Sequence, residues 1–291
     1  MDSRGPIGIA GAGRVAQSLA RLLRETGQPV VAVASRSAAS ARAAAEFAGP
    51  GVTATTYAEL PGKASRLVIA VPDEALEEVA GTLAETARAG IALHTCGARG
   101  PEALGALADR GIACGTLHPL QTVASPQQGA ASLRGVTFAV AGDPAALAWA
   151  REIAEALGGT AVEIEPRARP LYHAAAVMAS NYVVVLVDAA VTLMQAAGLE
   201  RDAALEAVAP LLRTTVDNVL AEGPEGALTG PIQRGDAATV AAHLAALGAS
   251  PASVRELYRA AGRQALDIAR RRGLPGDRAQ AIETRLSCRT E

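Results

Sequence analysis

Gly11, Gly13 and Ala16 stand at the spacing G-x-G-x-x-A, directly after the apolar run Ile7 to Ala10 and directly before the helical pattern Val15, Leu19, Leu22, Leu23. In that order the first glycine makes a tight turn, the second lets backbone approach a pyrophosphate, and the alanine lets helix and strand pack closely. The free N–H groups at the helix start, reinforced by its dipole, suit an anion. Ala12, Arg14 and Val15 belong to the same cradle. The next strand, Gln28 to Ala34, ends in Ser35-Arg36-Ser37 and not in the Asp or Glu that would take a ribose 2′-hydroxyl. A guanidinium flanked by two hydroxyls offers charge-assisted donors to a 2′-phosphate instead. These residues predict NADP(H) as cofactor in preference to NAD(H).

Three further groups of residues suit chemistry on a small molecule. His118, in Leu117-His118-Pro119-Leu120, follows a strand and reads as a proton donor or substrate contact, because proline after it ends regular pairing. Along an apolar helix expected from Pro170 to Ala197, His173, Ser180, Asn181 and Asp188 fall on one face at 100° per residue. His173 and Asn181 read as site residues, with a capping or interface histidine as the alternative for His173 and polar groups satisfied by neighbouring helices as the alternative for Asn181 and Asp188. The segment Leu228-Thr229-Gly230-Pro231-Ile232-Gln233-Arg234-Gly235-Asp236 offers Thr229 and Arg234 to a substrate carboxylate, with a surface or interdomain ion pair as the alternative for Arg234, while Asp236 reads as a helix cap. His94, Cys96, Cys114 and His118 lack the usual C-x₂₋₄-C spacing, so no metal site is expected.

The elements that must position these residues alternate in the first half. Strands expected at Arg66 to Val71, Gly90 to Thr95, Ile112 to Leu117 and Val136 to Ala141 join the first two, with helical stretches around Ala38 to Ala48, Glu74 to Ala87, Pro101 to Ala108 and Pro144 to Leu157. This rhythm predicts an α/β fold, a doubly wound, mostly parallel Rossmann-type sheet. Ligands of such sheets bind beyond the carboxyl ends of the strands, where Val71, Pro72, Thr95 and Cys96 fall. From Pro170 onward the pattern is helical: the long helix, then Asp202 to Leu212, Thr214 to Ala221, Ala237 to Leu247, and Ala252 to Arg272 capped by Ser250. The domains expected are 1–165, binding NADP, and 166–291, all-helical, for substrate and dimerisation.

Composition narrows the function class. At 291 residues with 50% hydrophobic and 19% charged side chains, the chain has material for two cores. A net charge of -2 and 2% aromatics give no basis for a nucleic-acid partner. Lys63, the single lysine, lies in a Pro-Gly loop, away from any reading that needs a Schiff base. The odd count of 3 cysteines, without C-x-x-C, suits a reducing cytoplasmic setting. No signal peptide is expected, and Ala174 to Met194, though long enough to span a bilayer, reads as a buried core helix because Ser180, Asn181, Asp188 and Thr192 interrupt it.

Gly11-Ala12-Gly13 with Ser35-Arg36, Val71-Pro72-Asp73, His118-Pro119-Leu120, Tyr172-His173 with Asn181, and Leu228-Thr229-Gly230-Pro231 with Arg234-Gly235-Asp236 and His243 resemble a bacterial two-domain NADP oxidoreductase-like family. Its members join a Rossmann-like domain to the domain of unknown function 2520, within the 6-phosphogluconate dehydrogenase C-terminal-like superfamily. The resemblance implies an NADP-type first domain, a helical second domain and a homodimer formed through it, and it implies no known substrate. In hydroxyacid dehydrogenases of that superfamily a catalytic lysine lies four residues before an asparagine. If Asn181 matches that asparagine, Val177 stands at the lysine position, so a proton must come from His173, His118 or water. The expectation is an NADP(H)-dependent oxidoreductase reducing a small carbonyl or imine carboxylic acid at the interdomain cleft. A ketopantoate-reductase-like activity, and a non-catalytic NADP(H)-sensing protein, are its alternatives.

Overall fold

The computed structural model describes residues 5–287, and Cys288, the third cysteine, lies outside them. The chain divides into two compact units, one running up to Ser180 and the other starting at Asn181.

The first unit is wound on β1 (Ile7–Ala10), β2 (Val30–Ala34), β3 (Thr53–Thr55), β4 (Arg66–Ile69), β5 (Ile91–His94), β6 (Ala113–Pro119), β7 (Thr137–Gly142) and β8 (Thr160–Glu163). They form one 8-stranded sheet in the order β3-β2-β1-β4-β5-β6-β7-β8. Every neighbouring pair is parallel except β6 with β7. The order reverses at β1, which pairs with β2 on one side and β4 on the other. That reversal is the switch point at which open α/β sheets bind ligands. Two short edge strands, β3 and β8, go beyond the sequence expectation; both are mostly exposed, so neither carries the apolar signal of a buried parallel strand.

The helices of this unit are α1 (Arg14–Glu25), α2 (Ala38–Ala48), α3 (Leu76–Thr86), α4 (Gly105–Ala108), α5 (Pro126–Ser132), α6 (Pro144–Ala156) and α7 (Arg169–Ala179). Leu19, Leu22 and Leu23 of α1 share a core with Trp149 and Ile153 of α6 and with Ile9, Phe138 and Val140 of the sheet. Leu76, Val79 and Leu83 of α3, with Leu104 and Leu107, build a second core with Leu67 and Ile69. Helices on both faces leave strands buried along their whole length, as in β1 and β4, whose residues are apolar or glycine apart from Arg66.

The helix expected from Pro170 to Ala197 is broken. α7 ends at Ala179, Ser180 adopts φ -123 and ψ -74, and α8 (Asn181–Ala196) starts afresh. Ser180 and Asn181 adjoin here, and short polar side chains compete with the helix for backbone partners. The 100° advance that assigned His173, Ser180, Asn181 and Asp188 to one face therefore does not run on past Ser180.

The second unit is helical: α8, α9 (Arg201–Ala227), α10 (Pro231–Arg234), α11 (Ala237–Ala246), α12 (Ala252–Arg271) and α13 (Gly276–Ser287). The pair of helices expected between Asp202 and Ala221 is one element that continues to a kink at Gly223 (φ 73). Ile232, Val240, Leu266, Ala269, Ile282 and Leu286 form its core. α12 starts behind Pro251 with no side-chain cap, so Ser250 does not play the capping part expected of it. Nor is α8 a buried core helix. Val191 is its buried residue, whereas Tyr182, Val184, Val185 and Leu186 are exposed. The stretch 166–196 is long and apolar enough, by length and composition alone, to cross a membrane.

Candidate active site

β1 runs into Gly11 at φ 125, and a Cβ there would sit 2.1 Å from the Ala70 carbonyl oxygen. Only glycine lets β1 turn this close to the strand beside it. Gly13, the N-cap of α1, has nothing within 4 Å of where its Cβ would stand. Neither a capping side chain nor an acid occupies the first turn of α1, so its orphan N–H groups face open space. These features fit a pyrophosphate, and Gly11, Ala12, Gly13, Arg14 and Val15 line a cleft of about 610 Å³ with Ser35, Arg36, Val71, Pro72, Asp73 and Thr95.

Two residues expected in that lining take other roles. The Ser37 hydroxyl accepts from Ser40 N–H and caps α2, and Ser40 itself faces the cleft. Cys96 is buried; its thiol is pushed up to about 11, by burial first and then by the Asp73 carboxylate beside it. A thiol so placed is a structural group and not a nucleophile. The sequence reading missed Tyr57, which lines the cleft next to Ser35 and Arg36. Burial pushes its phenol above the usual range, against the opposing pull of the Arg36 guanidinium and of hydrogen bonds from Arg36 N–H and Ser35.

Beyond Thr95 the chain reaches Gly97, over which two imidazoles close. A Cβ at Gly97 would lie 2.7 Å from both His118 Nε2 and His173 Nδ1. His118, at the end of β6, shares a 2.8 Å hydrogen bond between its Nδ1 and the Tyr172 hydroxyl, ring edge to ring face. The rings of His118 and His173 stand 6.1 Å apart. Both histidines were expected in the site; Tyr172, 54 residues from its partner, was not expected to join them.

Arg169, also unanticipated, anchors this cluster. Its guanidinium is fully buried, donates to Thr116 Oγ1 and to the Cys96 carbonyl 3.5 Å away, and leaves Nε without a partner. It thereby fastens the first turn of α7 to the ends of β5 and β6. Burial lowers its pKa, and its charge in turn disfavours protonation of His118. Desolvation first, then His173 and Arg169, hold His118 down at about 4.

His94 belongs to the framework. Its Nδ1 accepts from Cys96 N–H at 3.2 Å, which makes Nε2 the donor to the Gly100 carbonyl at 2.9 Å. Burial sets this ring at about 4 as well. Among the described residues, no group of 3 or more His, Cys, Asp and Glu is arranged to hold a metal.

Asn181, Thr229 and Arg234 belong to the helical unit. Asn181 opens α8 and is exposed, as are Thr229 and Arg234. Gly230 (φ 94) precedes α10, and Gly235 (φ 72) closes it in the left-handed conformation. Asp236 caps α11 through Thr239 N–H at 3.0 Å. Arg234 lines a recess of about 520 Å³ with Arg272 and Arg278, which donate to the Leu228 and Arg234 carbonyls. His243 bonds Tyr258 at 2.8 Å.

The two buried rings give the fold a pH dependence of known sign. Unfolded, His94 and His118 take up protons near pH 6.5; folded, near 4. The native state therefore keeps its full stability above about pH 6.5 and loses it as the pH falls towards 4, by about 2 kcal/mol for each histidine between pH 7.5 and 5. Urea denaturation at those two pH values measures the loss, and His94→Gln should remove about half of it.

A Rossmann-like domain family matches residues 1–119, and a family described as Domain of unknown function (DUF2520) matches residues 136–265, which start at the antiparallel β7. A solved structure from Bacteroides fragilis that carries a provisional assignment as NADP oxidoreductase is 26% identical, over 90% of this chain and 98% of that one, with a TM-score of 0.73. Protein TM1727 from Thermotoga maritima is 23% identical over 91% and 99% of the two chains, with a TM-score of 0.72. Pyrroline carboxylate reductase from Plasmodium falciparum, solved with NADP bound, shares the fold at 11% identity over 98% and 99%, with a TM-score of 0.59. No protein of curated function matches the sequence. The chain thus matches a Rossmann-like domain model in its first part and the model of this domain of unknown function in its second, the order in which the glycine cradle, the switch-point sheet and the helices follow one another.

Proposed function

We propose that this protein is an NADP(H)-dependent reductase of a small carbonyl or imine carboxylic acid. The observation that carries the reading is the cleft itself: an uncapped helix N-terminus beside Gly13 for a pyrophosphate, and Arg36 with Ser35 at the end of β2, where no carboxylate repels a 2′-phosphate. The nicotinamide, when bound, would supply hydride chemistry. The chain's own residues would bind the dinucleotide along α1 and β2, and the histidine cluster beyond Thr95 would hold the proton. Arg234, with Thr229 in the same segment, would take the substrate carboxylate, a role that suits a recess lined by three guanidinium groups and no acid. Asn181 is proposed as a further substrate or cofactor contact. The structural neighbours named above, one of them acting on a cyclic imine acid by its name, support the same class.

The alternative is an NADP(H)-responsive binding protein without turnover. It draws support from Val177, which stands at the lysine position of the hydroxyacid dehydrogenases if Asn181 matches their asparagine. Steady-state oxidation of NADPH across a panel of 2-keto and cyclic imino acids separates the two. The reductase reading expects turnover with at least one acid; tight NADPH binding without any turnover would favour the sensor. Replacing Arg36 with Asp should weaken NADPH binding by about 10–100-fold, the worth of a charge-assisted contact, with little loss for NADH. An unchanged preference would remove Arg36 from the cofactor site.

We also propose a cytoplasmic homodimer formed through the helical unit. Val184, Val185 and Leu186 of α8, and Leu205, Leu211 and Leu220 of α9, stand exposed on neighbouring helices, and a second copy would cover them. Light scattering should give twice the 29.4 kDa chain mass, and a Val184→Glu, Leu186→Glu double variant should give the monomer. A monomeric wild type, or its partition into membranes, would contradict this.

A further inference from the structure

We propose that Tyr172 resupplies the proton that His118 gives up, so that the two side chains form a relay running from solvent to substrate. The inference rests on the reductase reading and adds to it a residue and a direction of proton flow.

The direction follows from the geometry. His118 Nδ1 and the Tyr172 hydroxyl are 2.8 Å apart, and of the two groups the phenol is the stronger acid. The phenol therefore donates, and Nδ1 accepts. The single ring proton of neutral His118 must then sit on Nε2, the atom that closes on Gly97 two residues beyond the cleft-lining Thr95. One nitrogen closes on Gly97, next along the chain from the cleft lining, and the other is bonded to Tyr172. Burial and the Arg169 charge keep the ring neutral at physiological pH, so it cannot act as a preformed imidazolium acid.

A neutral imidazole is a poor acid alone, and Tyr172 makes up that deficit. As the substrate carbon receives the hydride, the former π pair of the C=O or C=N bond moves to its heteroatom, which takes the Nε2 proton. Nδ1 simultaneously takes the phenolic proton, which leaves a neutral ring of the opposite tautomer and a tyrosinate. Burial raises the Tyr172 phenol above its usual range and the Arg169 guanidinium opposes that rise, in favour of the anion; half-buried Tyr172 regains a proton from solvent, and the ring resets by releasing its Nδ1 proton as Nε2 takes one up. The sum is one hydride and one proton added to the substrate, with NADPH as the reductant. Nothing else in the cluster duplicates the arrangement: His173 presents a buried Nδ1 without a partner, and His94 has both nitrogens committed to backbone.

The direct test is the ring tautomer of His118 in the full-length protein with NADP⁺ added, read from long-range ¹H–¹⁵N spectra. The relay expects a neutral ring with its proton on Nε2 in the wild type, and a mixture of tautomers in Tyr172→Phe. A wild-type proton on Nδ1, or an unchanged nitrogen pattern in the variant, would overturn it. On any acid that the panel finds to be reduced, Tyr172→Phe should lower kcat about 10–100-fold, with KM changed less than about twofold. Equal losses in kcat with a fully retained wild-type solvent isotope effect would reduce Tyr172 to a packing role. If wild type reduces no acid, the reductase reading fails separately, while the tautomer still decides whether the proton path exists.

Discussion

At the switch point of the sheet a main-chain carbonyl, that of Ala70, stands where any side chain on residue 11 would have to go. This contact forces β1 to turn at Gly11 and to enter α1 one step later with its first N–H groups uncapped. The parallel registers of β1 with β2 and β4, and of β4 with β5, then bring the ends of all these strands to the same edge. Ser35, Arg36, Val71, Pro72 and Thr95 share one cleft because each follows a strand in that set. The chemistry of the cleft is thus a consequence of backbone geometry: donors and the guanidinium groups of Arg14 and Arg36, with space left above Gly13.

A second constraint acts where β5 and β6 end. A buried guanidinium is costly unless it is hydrogen-bonded, and Arg169 meets part of that need with Thr116 and the Cys96 carbonyl, its Nε staying without a partner. The arginine begins α7, so the same contacts fix Tyr172 and His173, one helical turn on, against His118. Gly97 provides the missing volume. Its lack of a Cβ allows both imidazoles to close on the backbone. Burial first, and then the neighbouring His173 and Arg169, keep His118 neutral, which in turn determines the kind of acid it can be.

The parts of this arrangement that were legible in the sequence are the local ones. Turn, strand and helix follow one another within Ile7 to Ala16, and the period and the glycine positions there carry their own physical reasons. Arg36 was readable because only the residue after a short strand had to be found. What escaped were contacts across long separations: Tyr172 with His118, Arg169 with Thr116, Tyr57 with Arg36. No periodicity encodes such pairs. The break at Ser180 escaped for a different reason. Ala174 to Met194 is apolar on nearly every face, so hydropathy continues smoothly through a point at which two adjacent small polar residues end the hydrogen-bond ladder. The same uniform apolarity led to an expectation of burial, whereas α8 presents Val184 and Leu186 outward. A helix that is hydrophobic all round has to be covered, and its sequence does not say by what.

The proposed chemistry depends on the recognition of a 2′-phosphorylated dinucleotide by the uncapped start of α1 and the Arg36 guanidinium. Isothermal titration calorimetry of the purified full-length chain with NADPH and, separately, NADH tests this most directly. The expected result is one NADPH per chain, bound at least about tenfold more tightly than NADH, as a charge-assisted contact to one phosphate requires. Binding of neither dinucleotide, or equal affinity for both, would contradict it.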